Sequence, residues 1–323
     1  MPGKMPVLHI EPLRYPDSTR ILLEPVADVD YRELADKAEL MATLQQKPYE
    51  ALFVRLGIPI DREVIAAAPA LKFIITPTTG LNHIDLDVAD QRQIQVISLK
   101  GETAFLEKIQ STSEHTWGLL LSLIRKTAQA NESVKKGQWI REPFLGMELN
   151  GKTLGILGYG RLGKIVAGYG QAFGMRVLVN DTDPGQLKAL PKGQEAVPLD
   201  QLLAESEVLS LHIPYSKENY RFIGSKELAQ TRSGLVLINT SRGEVLDENA
   251  LLANLESGHL KGAAIDVLEG DSSWESEVPS NTRLVHYLQE NDNLIITPHI
   301  GGYALESIEG TRAFVTNKFI TSI

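Results

Sequence analysis

The sequence predicts an α/β protein with parallel sheets, divided into two domains. Short apolar, β-rich runs alternate with helix-like segments along nearly the whole chain, the pattern of parallel-sheet proteins. The chain has 323 residues, more than one ordinary core holds and suited to two. Hydrophobic residues make up 43% and charged residues 23%, the balance of a folded globular chain and not of a disordered or fibrous one.

In the first third, strands are expected at ILLE (Ile21–Glu24), ALFVR (Ala51–Arg55), KFIIT (Lys72–Thr76) and IQVISL (Ile94–Leu99). Helices are expected around Tyr31–Gln46 and Asp61–Ala67. A longer helical pattern runs from Thr103 to Lys136, with Leu106, Ile109, Trp117, Leu120, Leu121 and Ile124 at helical spacing. It reads as a connecting helix that leaves the first domain for the second. After the loop GQWIREPFLGMELNGK come six more strands: TLGILG (Thr153–Gly158), MRVLVN (Met175–Asn180), VLSLHI (Val208–Ile213), LVLIN (Leu235–Asn239), AAIDV (Ala263–Val267) and LIITP (Leu294–Pro298). The tail from Tyr303 to Ile323 reads as a helix that can return to the first domain. The expected division is 1–102 with 300–323 as the smaller domain, and 103–299 as the larger.

Bulk properties exclude several functions. There are no cysteines, which removes disulfides, thiolate catalysis and Cys-ligated zinc, and fits a cytoplasmic setting. The formal net charge of −9, without any Lys/Arg block, argues against a nucleic-acid partner. The longest apolar runs, such as WGLLLSLI (Trp117–Ile124), are too short to span a bilayer, and MPGKMPVLHIEP shows no signal-peptide pattern. No His/Asp/Glu spacing suggests a metal site.

The sharpest local signal is GILGYGRLGKIVAGYGQAFGMRVLVND. Gly158, Gly160 and Gly163 form G-x-G-x-x-G after an apolar strand and before a helical stretch; a second strand then leads to Asp181. Alone, such a motif is weak; with strand, helix, second strand and acid in register it points to a Rossmann-type doubly wound sheet. Gly158 allows the tight turn, Gly160 lets a pyrophosphate approach bare backbone, and Gly163 allows close helix–sheet packing, with helix-start N–H groups for the phosphates. Asp181 would accept from ribose hydroxyls and repel a 2′-phosphate, which favours NAD over NADP.

Three further segments follow predicted strands, where open sheets carry ligands. LINTSRGEVLDENAL places Arg242, AAIDVLEGD places Asp266, Glu269 and Asp271, and ITPHIGG places His299. Ser241 lacks a nucleophile-elbow pattern. Thr78–Thr79–Gly80 offers backbone N–H groups to a carboxylate, and Arg55 follows the ALFV strand, with a surface salt bridge as its alternative role. His9, His259 and His286 belong to no motif and read as packing or surface residues.

Together these motifs resemble the D-isomer-specific 2-hydroxyacid dehydrogenase family over nearly the whole chain. TTGLNHIDLDVA (Thr78–Ala89), SEHTWGLLLSLIRK (Ser113–Lys126) and LHIPYSKEN (Leu211–Asn219) are similar to the family's substrate loop, first cofactor-domain helix and nicotinamide-ribose segment. The resemblance implies a flavodoxin-like α/β substrate domain beside the Rossmann-type one, with the active site in the cleft between them. It implies hydride transfer between NAD and a small 2-keto or D-2-hydroxy acid. Arg242 would grip the carboxylate and His299 would exchange the proton, as a histidine with its ordinary pKa of about 6.5 can. The implied cofactor contacts are Gly158, Tyr159, Gly160, Arg161, Leu162, Gly163, Asp181, His212, Ile213, Pro214, Asn219, Thr240, Ser241, Arg242, Asp266, His299 and Gly301. Arg55, Thr79 and Gly80 would contact substrate. The helix after Thr103 implies a homodimer, and His115 within it reads as a packing or dimer residue.

One position departs from the family pattern. The acid that orients the histidine is usually Glu, five residues after the strand Asp; counting from Asp266, that position is Asp271. Asp is shorter by one methylene, about 1.5 Å, a misplacement that can cost on the order of 100-fold in rate. Asp271 is the first choice, with Glu269, Glu275 and Glu277 as alternatives. A 3-phosphoglycerate dehydrogenase of the same family and a non-enzymatic NAD-responsive binding protein remain rival functions.

Overall fold

The computed structural model describes residues 3–271 and 282–323 of the chain. Backbone contacts divide it into two units. The first runs to Ile109 and resumes at Tyr303–Ile323; the second covers Gln110–Asp271 and ends at Gly302.

The first unit contains β1 (Met5–His9), α1 (Asp17–Leu23), β2 (Ala27–Tyr31), α2 (Lys37–Leu44), β3 (Ala51–Phe53), α3 (Arg62–Ala67), β4 (Phe73–Ile75), α4 (Leu86–Gln91), β5 (Gln95–Ile97) and α5 (Thr103–Leu106). Its strands are parallel in the order β2-β1-β3-β4-β5, the flavodoxin-like order. Asp36, Asp61 and Asp85 cap α2, α3 and α4 by accepting from backbone N–H groups of the first turn.

Two expectations change here. ILLE lies at the end of α1 and is not a strand. Thr19 and Leu23, four apart, are buried while Ile21 is 69% exposed, which is one helical face and not an alternating strand. The helix expected from Tyr31 starts only at Lys37, because Asp36 caps it there, and Tyr31 instead closes β2.

The second unit opens with α6 (Ser111–Arg125) and α7 (Thr127–Lys135). The continuous helix expected over Thr103–Lys136 is therefore three helices, with Lys126 in a left-handed conformation (φ 51°) ending α6. There follow β6 (Thr153–Leu157), α8 (Arg161–Ala172), β7 (Arg176–Asn180), β8 (Gln194–Ala196), α9 (Leu199–Glu205), β9 (Val208–Leu211), α10 (Ser225–Leu228), β10 (Leu235–Asn239), α11 (Glu248–Glu256), β11 (Leu260–Ile265), α12 (Thr282–Glu290) and β12 (Leu294–Ile296). Among the described residues, the strands of this unit are all parallel, in the order β12-β11-β10-β9-β6-β7-β8. Every residue of β9 and β10 is buried, as central parallel strands covered on both faces must be. Chain order reverses between β6 and β9, and in such sheets ligands bind beyond the carboxyl ends at that point.

The chain then re-enters the first unit as α13 (Leu305–Ile320). Its Val315 and Phe319 are fully buried, and the Phe319 ring lies 5.4 Å from that of Phe53 and 5.5 Å from that of Phe73. Phe105 of α5 stacks on Phe314 at 4.1 Å. This packing holds α5 in the first unit, so the division falls after Ile109 and not after residue 102.

Candidate cofactor and catalytic site

The glycine loop sits at the carboxyl end of β6, on one side of the reversal point. Gly158 has φ 95°, and a Cβ there would meet the backbone of His212 and Ile213 at 2.7–2.8 Å, so the loops after β6 and β9 touch through this glycine. A Cβ on Gly163 would lie 2.1 Å from the Gly158 carbonyl oxygen, which is how closely α8 approaches the strand. Gly160, by contrast, has nothing within 4 Å of its Cβ position and leaves bare backbone at the start of α8.

Asp181, just beyond β7, borders this loop. Its carboxylate accepts from the N–H of Tyr159 at 2.7 Å and of Asp183 at 2.8 Å. Tyr159 is therefore turned inward: its ring is buried, its hydroxyl meets Gln194, and its N–H goes to Asp181. Arg161 and Leu162 begin α8. Beyond β9, His212 meets the Ser210 hydroxyl at 2.8 Å through Nε2. Burial pushes its pKa down to about 4, so the ring is neutral at pH 7, and Nδ1 has no hydrogen-bond partner among the described residues. Pro214 is exposed and Ile213 half-buried, while the Asn219 amide ties its own turn, accepting from Ser216 N–H and donating to the Pro214 carbonyl.

The second cluster lies beyond β10, β11 and β12. Asn239, the last residue of β10, accepts from the N–H and hydroxyl of Ser241 and donates to the Arg242 carbonyl, shaping the turn that carries Arg242. Thr240 is anchored by a 2.8 Å contact between its hydroxyl and that of Thr116 on α6. Arg242 is half-buried and donates to the Ser241 carbonyl at 2.6 Å. Gly243 is wedged against the next turn: a Cβ there would fall 2.0 Å from the Leu268 carbonyl carbon. The Glu248 carboxylate, buried on α11, accepts from Glu269 N–H at 2.7 Å. The Arg242 turn and the 268–271 turn are thus packed as one piece.

That second turn separates two acids. Glu269 accepts from the Tyr220 hydroxyl at 2.5 Å and pairs with Arg221 at 3.1 Å. Gly270 (φ 81°) reverses the backbone, and Asp271 places Oδ2 2.9 Å from Nδ1 of His299. Of the acids left open by the sequence, Asp271 stands beside the histidine and Glu269 is engaged elsewhere. Glu275 and Glu277 lie outside the described residues.

His299 itself has φ 53°, uncommon for a residue with a Cβ. Its N–H donates to the carbonyls of Asp266 and Thr297. The next two N–H groups, of Ile300 and Gly301, donate to the Asp266 carboxylate at 2.9 and 2.7 Å, a nest around an anion. Asp266 is 2% exposed and also meets Thr297 Oγ1 at 2.5 Å and His115 Nε2 at 3.2 Å. Burial works to raise its pKa, but His115, Thr297 and the Gly301 and Ile300 N–H groups outweigh that and hold it below the ordinary carboxyl value. Its acceptor positions are engaged inside the unit, and sequence reasoning, which named it a cofactor contact, gave no sign of this.

In the first unit, Arg55 follows β3 and donates from Nη2 to the Ala35 carbonyl at 3.0 Å. Thr79 and Gly80 sit in a turn after β4 where the Thr78 hydroxyl donates to the Gly80 carbonyl at 2.8 Å. All three lie at the carboxyl edge of that unit's sheet.

Residues 117–301 match the model of the D-isomer specific 2-hydroxyacid dehydrogenase, NAD binding domain. The chain belongs to this family. Among its relatives, a D-3-phosphoglycerate dehydrogenase of Archaeoglobus fulgidus is 38% identical over 259 residues, 80% of this chain and 46% of that protein. A glyoxylate reductase of Thermococcus litoralis is 34% identical, over 84% of this chain and 80% of that one. The chain spans about half the length of the phosphoglycerate dehydrogenases it matches. The crystal structure of a D-lactate dehydrogenase from Aquifex aeolicus, complexed with NAD and lactic acid, superposes with a TM-score of 0.81 at 30% identity, covering 97% of this chain and 94% of that one.

This dehydrogenase-family chain fits NAD in its second unit. Bare backbone at Gly160, the helix start after it, the carboxylate of Asp181 and the unpartnered buried Nδ1 of His212 all lie around the reversal point. Among the described residues no group of three or more His, Cys, Asp or Glu could hold a metal, and no helix is long and apolar enough to cross a membrane.

Proposed function

We propose that the chain is an NAD-dependent oxidoreductase interconverting a 2-keto acid and a D-2-hydroxy acid. The observation that carries this reading is the 2.9 Å approach of Asp271 to His299, beyond the carboxyl edge of the sheet that bears the glycine loop. NAD, when bound, supplies or takes the hydride. Arg242 holds the substrate carboxylate, because a planar guanidinium matches its two oxygens, and its charge polarises the keto oxygen. With Nδ1 against Asp271, Nε2 of His299 is the nitrogen assigned to the substrate: it gives its proton to the oxygen in reduction and takes it back in oxidation. The Asp271 carboxylate orients the ring and stabilises its cationic form. Arg55, Thr79 and Gly80 are the first unit's candidates for an anionic substrate group, and a homodimer is the expected assembly, checked by size-exclusion chromatography with light scattering.

A second reading within the family, 3-phosphoglycerate dehydrogenase, is favoured by the 38% identity to the Archaeoglobus fulgidus protein. One assay separates the readings: NADH oxidation with glyoxylate, hydroxypyruvate, pyruvate, 2-ketoisocaproate and phosphohydroxypyruvate. Turnover that disappears in Arg242→Lys and His299→Gln supports the dehydrogenase, and the preferred keto acid names its class. Tight NADH binding without turnover on any of them overturns it in favour of a non-enzymatic NAD-responsive protein.

A further inference from the structure

We propose that His115 on α6 is a positioning residue that sets the orientation of His299 through the Asp266 carboxylate. The proposal rests on the dehydrogenase reading above and adds a residue to its machinery. Its basis is a chain of contacts inside the second unit. His115 Nε2 lies 3.2 Å from Asp266 Oδ1 and 3.0 Å from Thr297 Oγ1. Thr297 has one hydroxyl proton and donates it to Asp266 Oδ1. The carboxylate has no proton to give. The proton on the His115 contact therefore comes from His115, which fixes the tautomer with hydrogen on Nε2.

Asp266 thus gathers four donors: His115, Thr297, and the N–H groups of Ile300 and Gly301. Two of these are backbone groups of the turn that starts with His299. That turn needs an anion, because the N–H groups of Ile300 and Gly301 point at the two oxygens of one carboxylate and His299 holds a strained positive φ. Removing the His115 donor lets the buried carboxylate rotate toward other partners, and the turn loses its fixed anchor. Gly301 completes the wedge: a Cβ there would meet Asp266 Oδ2 at 2.8 Å and His115 Cδ2 at 3.6 Å. The same helix reaches the Arg242 turn through Thr116 and Thr240, so α6 braces both reacting side chains.

The test compares His115→Leu, which removes the donor, with His115→Gln, whose amide can donate from nearly the same place. For keto-acid reduction, the Leu variant is expected to lose about 10- to 100-fold in kcat with KM changed less than about threefold, and to show a larger solvent deuterium isotope effect. The Gln variant is expected to recover most of kcat. In hydrogen exchange, the Ile300 and Gly301 amides should exchange at least about tenfold faster in the Leu variant than in the parent. Unchanged kcat in the Leu variant, equal damage in the Gln variant, or unchanged amide protection would each overturn the proposal. If the parent chain reduces no keto acid, the dehydrogenase reading fails, and the exchange measurement alone decides the positioning claim. Should the Leu variant not fold, His115→Asn, whose shorter amide stops short of Asp266, replaces it with the same expectations.

Discussion

The Asp271 carboxylate places Oδ2 2.9 Å from Nδ1 of His299, although the family pattern has a longer acid at this position. The turn at Gly270 and the bond from Leu268 N–H to Asp271 Oδ2 at 3.3 Å bring the shorter side chain within reach. Asp271→Asn is expected to lower kcat by about 10- to 100-fold, since the carboxylate that orients the ring is gone. Asp271→Glu should also lose activity, about tenfold, because its extra methylene, about 1.5 Å, shifts the carboxylate from the position it holds 2.9 Å from His299. Glu269→Gln should stay near the parent rate. Steady-state kinetics of the three variants check this; a parent-like Asp271→Asn with an inactive Glu269→Gln contradicts it.

The glycine loop separates stability from cofactor affinity. Gly160→Ala enters open space, so its melting temperature should match the parent while NADH binding weakens by about tenfold or more, the methyl group standing where a pyrophosphate approaches. Gly163→Ala forces a contact with the Gly158 carbonyl, at 2.1 Å before relaxation, and should lose about 1–3 kcal/mol of stability as well. Thermal melts beside fluorescence titrations with NADH distinguish the two.

Acid should destabilise the chain well before its surface carboxylates protonate. Burial, aided by the charges of Arg20 and Arg312, pushes His9 down to about 3; burial pushes His83 and His212 down to about 4. The folded state therefore holds these rings neutral, while the unfolded chain protonates them below about 6.5. Their contribution is whole above that pH and is lost progressively as pH falls toward 4. Urea unfolding at pH 7.5, 6 and 5 should show a falling midpoint, and His9→Phe, which keeps the stack on Phe53, should flatten the fall. A midpoint independent of pH over this range contradicts the assignment.

Arg312 of α13 pairs with Glu11 at 2.8 Å, the side chains being 10% and 17% exposed. Burial outweighs this and the neighbouring charges and raises the Glu11 pKa. Arg312→Met would strand a buried carboxylate and should destabilise the first unit by about 3–5 kcal/mol. Adding Glu11→Gln should recover part of the loss, measured as a double-mutant cycle in urea.

How much of this was legible in the sequence depended on where the partners lie. LVLIN and VLSL read as strands because strands covered on both faces are continuous apolar runs. The glycines read as a loop because each has a local steric task. Edge strand β2, ADVDY, did not, since its aspartates break the apolar signal, and ILLE is too short for periodicity to tell helix from strand. Asp271 and Glu269 could not be ranked, because what claims Glu269 is Tyr220 and Arg221, 49 and 48 residues earlier. His115 carried no functional signal for the same reason: its contacts at Asp266 and Thr297 lie 151 and 182 residues away.

The return of α13 to the first unit has a consequence for synthesis. The aromatic plug formed by Phe319 with Phe53 and Phe73 joins segments that lie before and after the Rossmann sheet in the sequence. As the ribosome works from the N-terminus, the Rossmann sheet has all its strands before that plug exists, so the first unit, begun before that sheet, is completed only after it.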